Sequence, residues 1–310
     1  MKIKSNNNTV NHNIELLYKF NLSDKDSLKI FNESTRNINN LNVLKCNKSG
    51  VIVLEKYLLP ENYYENDIYR NVSFNTVKGF NAVKERVVLN RSTNDNLRRF
   101  ESYKELIKNS DVLDFGCGRD GFIKLTQKIS KKSIGLEINN ANREYVNSTG
   151  VNCIKSLSEL NDEKFDLITL NHVFHYLNDP INIIIELQKY LKDDGTIIIE
   201  VPHARDLLLE TFNLKSFKNF TFCSESLILH TRESLETFAT NSGLYVKSIK
   251  SFQRYPISNH YNWLLNGQPG DHEIFGNLNN DVFHNHYEKL LDSIDQTDTL
   301  IGYFGKQLKY

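Results

Sequence analysis

The chain has 310 residues, 38 basic and 38 acidic side chains, and a formal net charge of zero. That balance gives no long-range pull toward polyanions, which argues against a dedicated nucleic-acid binder or a polybasic membrane anchor. No apolar run approaches the roughly 18 residues of a membrane span, and Met1-Lys2-Ile3-Lys4-Ser5-Asn6-Asn7-Asn8 is polar where a signal peptide needs an apolar stretch. A cytoplasmic protein is the expectation, with a hydrophobic share of 39% that suffices for a core at this length.

Cys46, Cys117, Cys153 and Cys223 lie far apart, without the close spacing of a zinc ligand set, and read as reduced thiols with no metal. Ten of the 40 asparagines fall within the first 40 residues, but the excess continues through periodic segments, so only residues 1–12 are expected to be flexible. Residues 13–110 read as an N-terminal extension. It has a hairpin expected at Asn47-Lys48-Ser49-Gly50 and a tyrosine-rich patch, Tyr63-Tyr64-Glu65-Asn66-Asp67-Ile68-Tyr69-Arg70.

From residue 111 onward, strand-like and helix-like stretches alternate. Asp111-Val112-Leu113-Asp114-Phe115 is an apolar run ending in a glycine-rich turn, a helix is expected over 121–130, and strands over 133–138, 151–154 and 165–170. Asp179 is placed to cap a helix with Pro180 at its first position, and Ile181, Ile184, Ile185 and Leu191 form its apolar stripe. Residues 196–201 are a strand of the kind buried on both faces. Thr231 is placed to cap a helix lined by Leu235, Phe238 and Ala239 and closed by Gly243, and strands follow at 244–252 and 299–304. This alternation predicts an α/β fold: a mostly parallel sheet with helices on both faces. The aromatic- and histidine-rich stretch 253–298 reads as an insertion before the last strand.

Gly116-Cys117-Gly118-Arg119-Asp120-Gly121 follows the first of these strands, and Glu137 lies about 20 residues beyond, the spacing of a dinucleotide fingerprint. A nicotinamide-dependent oxidoreductase or epimerase is therefore one reading. Asp114 turns the reading elsewhere, because a carboxylate two residues before the loop would repel a pyrophosphate and attract an ammonium group.

Val112-Leu113-Asp114-Phe115-Gly116-Cys117-Gly118 resembles motif I of the class I S-adenosylmethionine-dependent methyltransferases. The resemblance continues through Phe165-Asp166-Leu167-Ile168-Thr169-Leu170-Asn171-His172-Val173 and Leu177-Asn178-Asp179-Pro180 to Glu200-Val201-Pro202. It is closest to a bacterial branch associated with nucleotide-sugar and surface-glycan enzymes, through Leu229-His230-Thr231-Arg232-Glu233-Ser234-Leu235, Gln253-Arg254-Tyr255-Pro256, Asn259-His260 and Asp298-Thr299-Leu300.

The resemblance implies a Rossmann-like, seven-stranded, mostly parallel sheet. The antiparallel last strand, 299–304, would lie between 196–201 and 244–252, so that 111–310 is the cofactor-binding domain. It implies S-adenosylmethionine held by Asp114, Gly116, Gly118, Glu137, Ile138, Ser156, Leu157 and Asn171: glycines near the methionine moiety, Glu137 on the ribose, Ile138, Ser156 and Leu157 by the adenine, and Asn171 near the sulfonium. The chain departs from the branch at Asp120, which stands where the third glycine is usual. His175-Tyr176 replaces a common Glu-His, His203 a common Asn, and Cys46 stands alone where two C-x-x-C pairs are often found.

An alcohol acceptor needs a base for its proton, and ligands of such sheets bind at the C-terminal strand ends. His172, His175 and Tyr176 follow the fourth strand and His203 the fifth; His175 is the first candidate for general base and His203 the second. Packing of each histidine inside the fold is the competing reading. Acceptor binding is assigned to His230, Arg254, Tyr255 and His260, against the alternative of an aromatic cluster around Trp263 and Phe275. Tyr63, Tyr64 and Arg70 are placed in a lid over the cofactor, against the alternative of a leading helix packed on the domain. The expected partner is a small polar molecule, a sugar or nucleotide-linked sugar, rather than nucleic acid. A binding protein that retains the cofactor but no activity is the third reading.

Overall fold

Short β-branched and leucine-rich runs set the strands. The computed structural model describes residues 9–60, 62–65, 83–119, 121–270 and 275–306. The N-terminal extension contributes β1 (Thr9–Val10), β2 (Leu28–Asn32), β3 (Val43–Cys46), β4 (Ile52–Leu54) and β5 (Lys56–Tyr57). Beyond it come β6 (Asp111–Phe115), β7 (Lys132–Leu136), β8 (Asn152–Ile154), β9 (Phe165–Asn171), β10 (Leu191–Pro202), β11 (Ile228–Leu229), β12 (Leu244–Phe252) and β13 (Thr299–Lys306).

The main sheet has the order β12-β13-β10-β9-β6-β7-β8. β6 to β10 run parallel, and β13 is antiparallel to both neighbours, with Thr299 facing Pro202 on one side and Phe252 on the other. This is the Rossmann-like methyltransferase arrangement expected from the sequence. Among the described residues it leaves no second mononucleotide-binding half, which the nicotinamide reading requires. β10 explains why the sheet is covered twice: Ile197, Ile199 and Val201 pack into the larger core, while Ile198 packs on the opposite face with Tyr103, Ile107 and Ile301. Period-two alternation sends successive apolar side chains to opposite layers.

Asp179 caps the helix Pro180–Lys189 by accepting from the Asn182 amide at 3.2 Å, and Thr231 closes a capping box with Ser234 at the start of Arg232–Asn241. Several boundaries differ from expectation, and two of them change what packs where. The helix after the glycine loop ends at Thr126, whose hydroxyl donates to Ile123 O at 2.7 Å and contacts Ser133. Leu191 belongs to β10, where it pairs with Phe165, and not to the preceding helix.

The hairpin at 47–50 joins β3 to β4, with Gly50 at φ +75° and its amide on Cys46 O at 2.9 Å. The second sheet has the order β11-β4-β3-β2, so a strand from beyond residue 227 completes a sheet begun before residue 60. Residues 9–12, expected to be flexible, lie in β1, in the link after it and at the head of the helix His12–Lys19. Residues 1–8 lie outside the described residues, whereas Asn11 is fully buried. Its Nδ2 donates to Leu54 O at 3.0 Å and Leu227 O at 2.9 Å, and its Oδ1 accepts from the Asn13 amide at 3.1 Å. The helix Val83–Ile107 lays Phe100, Tyr103 and Ile107 against β6 and β10, and Ile257–Asn266 and Asp281–Ser293 form the insertion between β12 and β13. Among the described residues, no helix is long and apolar enough to cross a membrane.

Asn11→Ala takes a donor from the buried Leu54 carbonyl and the acceptor from the Asn13 amide, while Leu227 O keeps the Leu54 amide at 3.0 Å. A buried polar group left unmade costs about 1–3 kcal/mol. The expected outcome is a fall in the urea midpoint with an unchanged slope.

Candidate active site

The loop after β6 turns through two left-handed glycines, Gly116 at φ +73° and Gly118 at φ +64°. A Cβ on Gly116 would stand 2.6 Å from Val173 Cγ2, whereas one on Gly118 would meet nothing within 4 Å, so backbone is open to a ligand at Gly118. The Glu137 carboxylate accepts from the Gly118 amide at 2.9 Å and the Asn139 amide at 2.7 Å. Ile138 beside it is 42% exposed, as a surface for a flat ring requires, and Ser156 and Leu157 stand half-buried after β8, at the head of the turn Leu157–Leu160.

Asp114 is buried and accepts from Thr169 Oγ1 at 2.6 Å and Asn171 Nδ2 at 3.2 Å; burial raises its carboxyl to about 6. Asn171 Oδ1 is buried without a donor among the described residues. These groups fit S-adenosylmethionine: its ammonium is the donor that the buried Asn171 oxygen lacks, and a cation beside the Asp114 carboxylate is attracted to it.

Next to Asn171 a cleft of about 620 Å³ opens at the C-terminal ends of β9 and β10. It brings together His172, His175, Tyr176, His203, Arg254 and Tyr255 of the residues expected from sequence. His172 sits at φ +55°, a strained conformation for a residue with a side chain, and its Nε2 lies 3.1 Å from Glu200 Oε1; burial lowers it to about 4. His175 lies on the 3₁₀ turn Phe174–Tyr176, its ring 3.9 Å from that of Tyr176, and burial holds it well below the usual histidine range. His203 Nδ1 lies 3.0 Å from Thr297 O, and its Nε2 is buried 3.8 Å from Asp295 Oδ1; burial takes it to about 4.

Two other candidates lie off the cleft. His230 is fully buried with Nδ1 on Ser234 Oγ at 3.0 Å, stacked on Phe174 and edge-on to Phe238. His260 is buried with Nδ1 2.5 Å from the Tyr287 hydroxyl. Tyr64 lies by the loop after β7, its carbonyl accepting from Asn139 Nδ2 at 3.2 Å and its ring 6.4 Å from Tyr176. Arg70 lies outside the described residues.

The ionic frame of the cleft was not singled out from the sequence. Glu200, fully buried, takes Arg98 Nη2 at 2.8 and 2.9 Å, Arg99 Nη2 at 2.7 Å and the Tyr103 hydroxyl at 3.2 Å. Burial alone would raise it, but Arg99, His172 and Arg98 hold it well below the usual carboxylate range. Arg254 is bidentate to Asp95, and Asp298 accepts from the Arg254 and Tyr255 amides at 3.0 and 3.1 Å. The adjacent pair Arg98-Arg99 is the sequence signal that could have pointed here.

The methyltransferase domain family matches residues 88–249, a little over half of the chain. The chain belongs to that family. Like the family, this methyltransferase uses S-adenosylmethionine as its cofactor. A Haemophilus influenzae protein, itself uncharacterized, is 26% identical over 111 residues; the match spans 31% of the methyltransferase and 44% of that relative. Among solved structures, an S-adenosylmethionine-dependent methyltransferase from Archaeoglobus fulgidus is 22% identical, covering 67% of this chain and 92% of its own with a TM-score of 0.47. The plantazolicin methyltransferase BamL, solved with a desmethyl-plantazolicin analogue and S-adenosylhomocysteine, is 16% identical, covering 74% and 92% with a TM-score of 0.48.

The Asp114 carboxyl is ionised above about 6, so its attraction for the cofactor ammonium is present above that pH and is lost as pH falls through it. Calorimetry with S-adenosylhomocysteine should show weaker binding below pH 6, and Asp114→Asn should bind about tenfold or more weaker at pH 8 and lose that dependence. Glu200→Gln leaves two arginines without their buried carboxylate and should cost about 3–5 kcal/mol in denaturant unfolding.

Proposed function

We propose that the methyltransferase methylates a hydroxyl of a small polar acceptor, a sugar or nucleotide-linked sugar of surface-glycan biosynthesis, held in the cleft beside Asn171. The observation that carries this reading is the cleft itself, whose size suits a small molecule and which sets histidines beside the residues placed around the cofactor. The sugar assignment is further supported by the resemblance of the 229–235 and 253–260 segments to the glycan-associated branch. S-adenosylmethionine, when bound, supplies a methyl group on an already activated carbon, so the protein's task is to hold the acceptor oxygen in line and take its proton.

Of the cleft histidines, His203 is best arranged to take that proton. A carbonyl only accepts, so the Thr297 contact places the hydrogen on Nδ1 and the lone pair on Nε2, which lines the cleft buried and without a donor among the described residues. Asp295, 3.8 Å from Nε2, would stabilise the imidazolium once formed. His175, whose Nδ1 is likewise buried without a partner among the described residues, is second. His172 acts as a positioning residue, tied to Glu200 and setting the direction of Asn171.

Mass spectrometry of nucleotide-sugars incubated with protein and cofactor should show gain of one methyl group. His203→Ala should lower kcat by about 10²–10⁴-fold without changing S-adenosylhomocysteine affinity. Because His203 stays neutral down to about 4, kcat should not show an acid limb near the ordinary histidine value of 6.5. A limb there, or full activity in His203→Ala, sinks the assignment of His203.

A further inference from the structure

The cleft is lined by three arginines, and two of them are spoken for: Arg99 by Glu200, and Arg254 by Asp95. The lining carboxylates are also committed. Asp298 accepts from backbone amides and from Gln253 Nε2 at 2.9 Å, and Asp206 caps the Leu208 amide at 2.7 Å. Arg36 differs. It stands between β2 and β3 in the N-terminal extension, pinned by its own amide to Phe222 O at 2.7 Å. Its guanidinium lies 5.6 Å from the Phe220 ring centroid, its Nε is buried without an acceptor, and no carboxylate pairs with it among the described residues.

The wall beside it is aromatic. The rings of Phe220 and Phe217 each lie 5.1 Å from that of Trp263, and all three residues line the same cleft. This corner is built by the extension and by residues 217–223 and 257–266, not by the ends of β9 and β10 where the histidines stand.

We propose that Arg36 is the specificity-determining residue for a phosphate-bearing acceptor, its guanidinium holding a phosphate ester while a ring of the acceptor lies on the Phe220–Trp263 wall. The inference rests on the acceptor reading above and narrows it to an anionic acceptor. A partly buried cation without a counter-charge is costly and gains most from a ligand anion. The planar fork matches two phosphate oxygens at once. A flat ring beside a charged group is the combination that aromatic walls with a neighbouring cation recognise. Arg254, expected from sequence to take this role, has its fork filled by Asp95.

Trp263 is the chain's single tryptophan, so intrinsic fluorescence reads this corner directly. The full chain is titrated at fixed ionic strength with uridine diphosphate, uridine, glucose 1-phosphate and glucuronate, and S-adenosylhomocysteine affinity is measured separately by calorimetry. Uridine diphosphate should bind about tenfold or more tighter than uridine, an advantage lost in Arg36→Gln and partly kept in Arg36→Lys. S-adenosylhomocysteine affinity should be unchanged in both variants, which shows the fold intact. Tighter binding of uridine diphosphate than of glucose 1-phosphate selects a nucleotide-linked acceptor, and the reverse a sugar phosphate; both support the assignment. Uridine matching uridine diphosphate, Arg36→Gln keeping the preference, or glucuronate outbinding glucose 1-phosphate overturns it. Failure of the wild-type chain to bind S-adenosylhomocysteine would instead strike at methyl transfer, whatever the phosphate probes do.

Discussion

A carboxylate with no exposure to water is costly unless cations or hydrogen-bond donors surround it, and Glu200 is such a group on the central strand. Two arginines and a tyrosine from Val83–Ile107 answer it from one side, and His172 from the end of β9 meets it from the other. One side chain thereby couples the helix Val83–Ile107 to the neighbouring strand end that carries Asn171. The backbone repeats the link, since Glu200 O accepts the His172 amide at 2.9 Å. The left-handed conformation of His172 is held by these two contacts together. The end of β9, the cleft beside it and the helix Val83–Ile107 are consequently not separable parts.

Contacts beneath the cleft surface decide which polar groups remain available to a ligand. Arg254 and Asp95, Arg99 and Glu200, and Asp298 with its amides form closed sets around the cleft floor. Closed sets are rigid and specify geometry, but have little left to bind with. Buried polar atoms of cleft residues left without a hydrogen-bond partner among the described residues include Asn171 Oδ1, His172 Nε2, His175 Nδ1 and His203 Nε2 near the ends of β9 and β10, and Arg36 Nε at the aromatic corner.

Strand–helix alternation with caps at Asp179 and Thr231 made the main sheet legible, because those signals are local and each segment buries its own apolar face. The glycine loop, Asp114 and Glu137 were legible for the same reason, all lying within about 25 residues of one another. His230 and His260 could not be told from cleft histidines by sequence, because a ring satisfied by Ser234 or Tyr287 carries the same letter as a free one. Glu200's role was hidden because its partners sit about 100 positions away. Arg36 was missed entirely: what distinguishes it is the lack of a partner, and periodicity carries no record of that. The asparagine excess also has a local meaning that composition alone concealed. Asn21, Asn40, Asn109, Asn161 and Asn213 all occupy left-handed turns, which asparagine tolerates better than most residues.

The pairing of β11 with β4 sets an order of events during synthesis. Asn11 reaches across 216 positions to Leu227 O, and the edge of β4 has no strand partner on that side until Ile228 and Leu229 arrive. At about 5–20 residues per second, a ribosome takes on the order of 10–40 s to make that stretch. For that interval the nascent N-terminal hairpin shows an open strand edge and an unfilled apolar face. Chaperone dependence should therefore concentrate in the first 60 residues, the part of the chain that is made first and completed late.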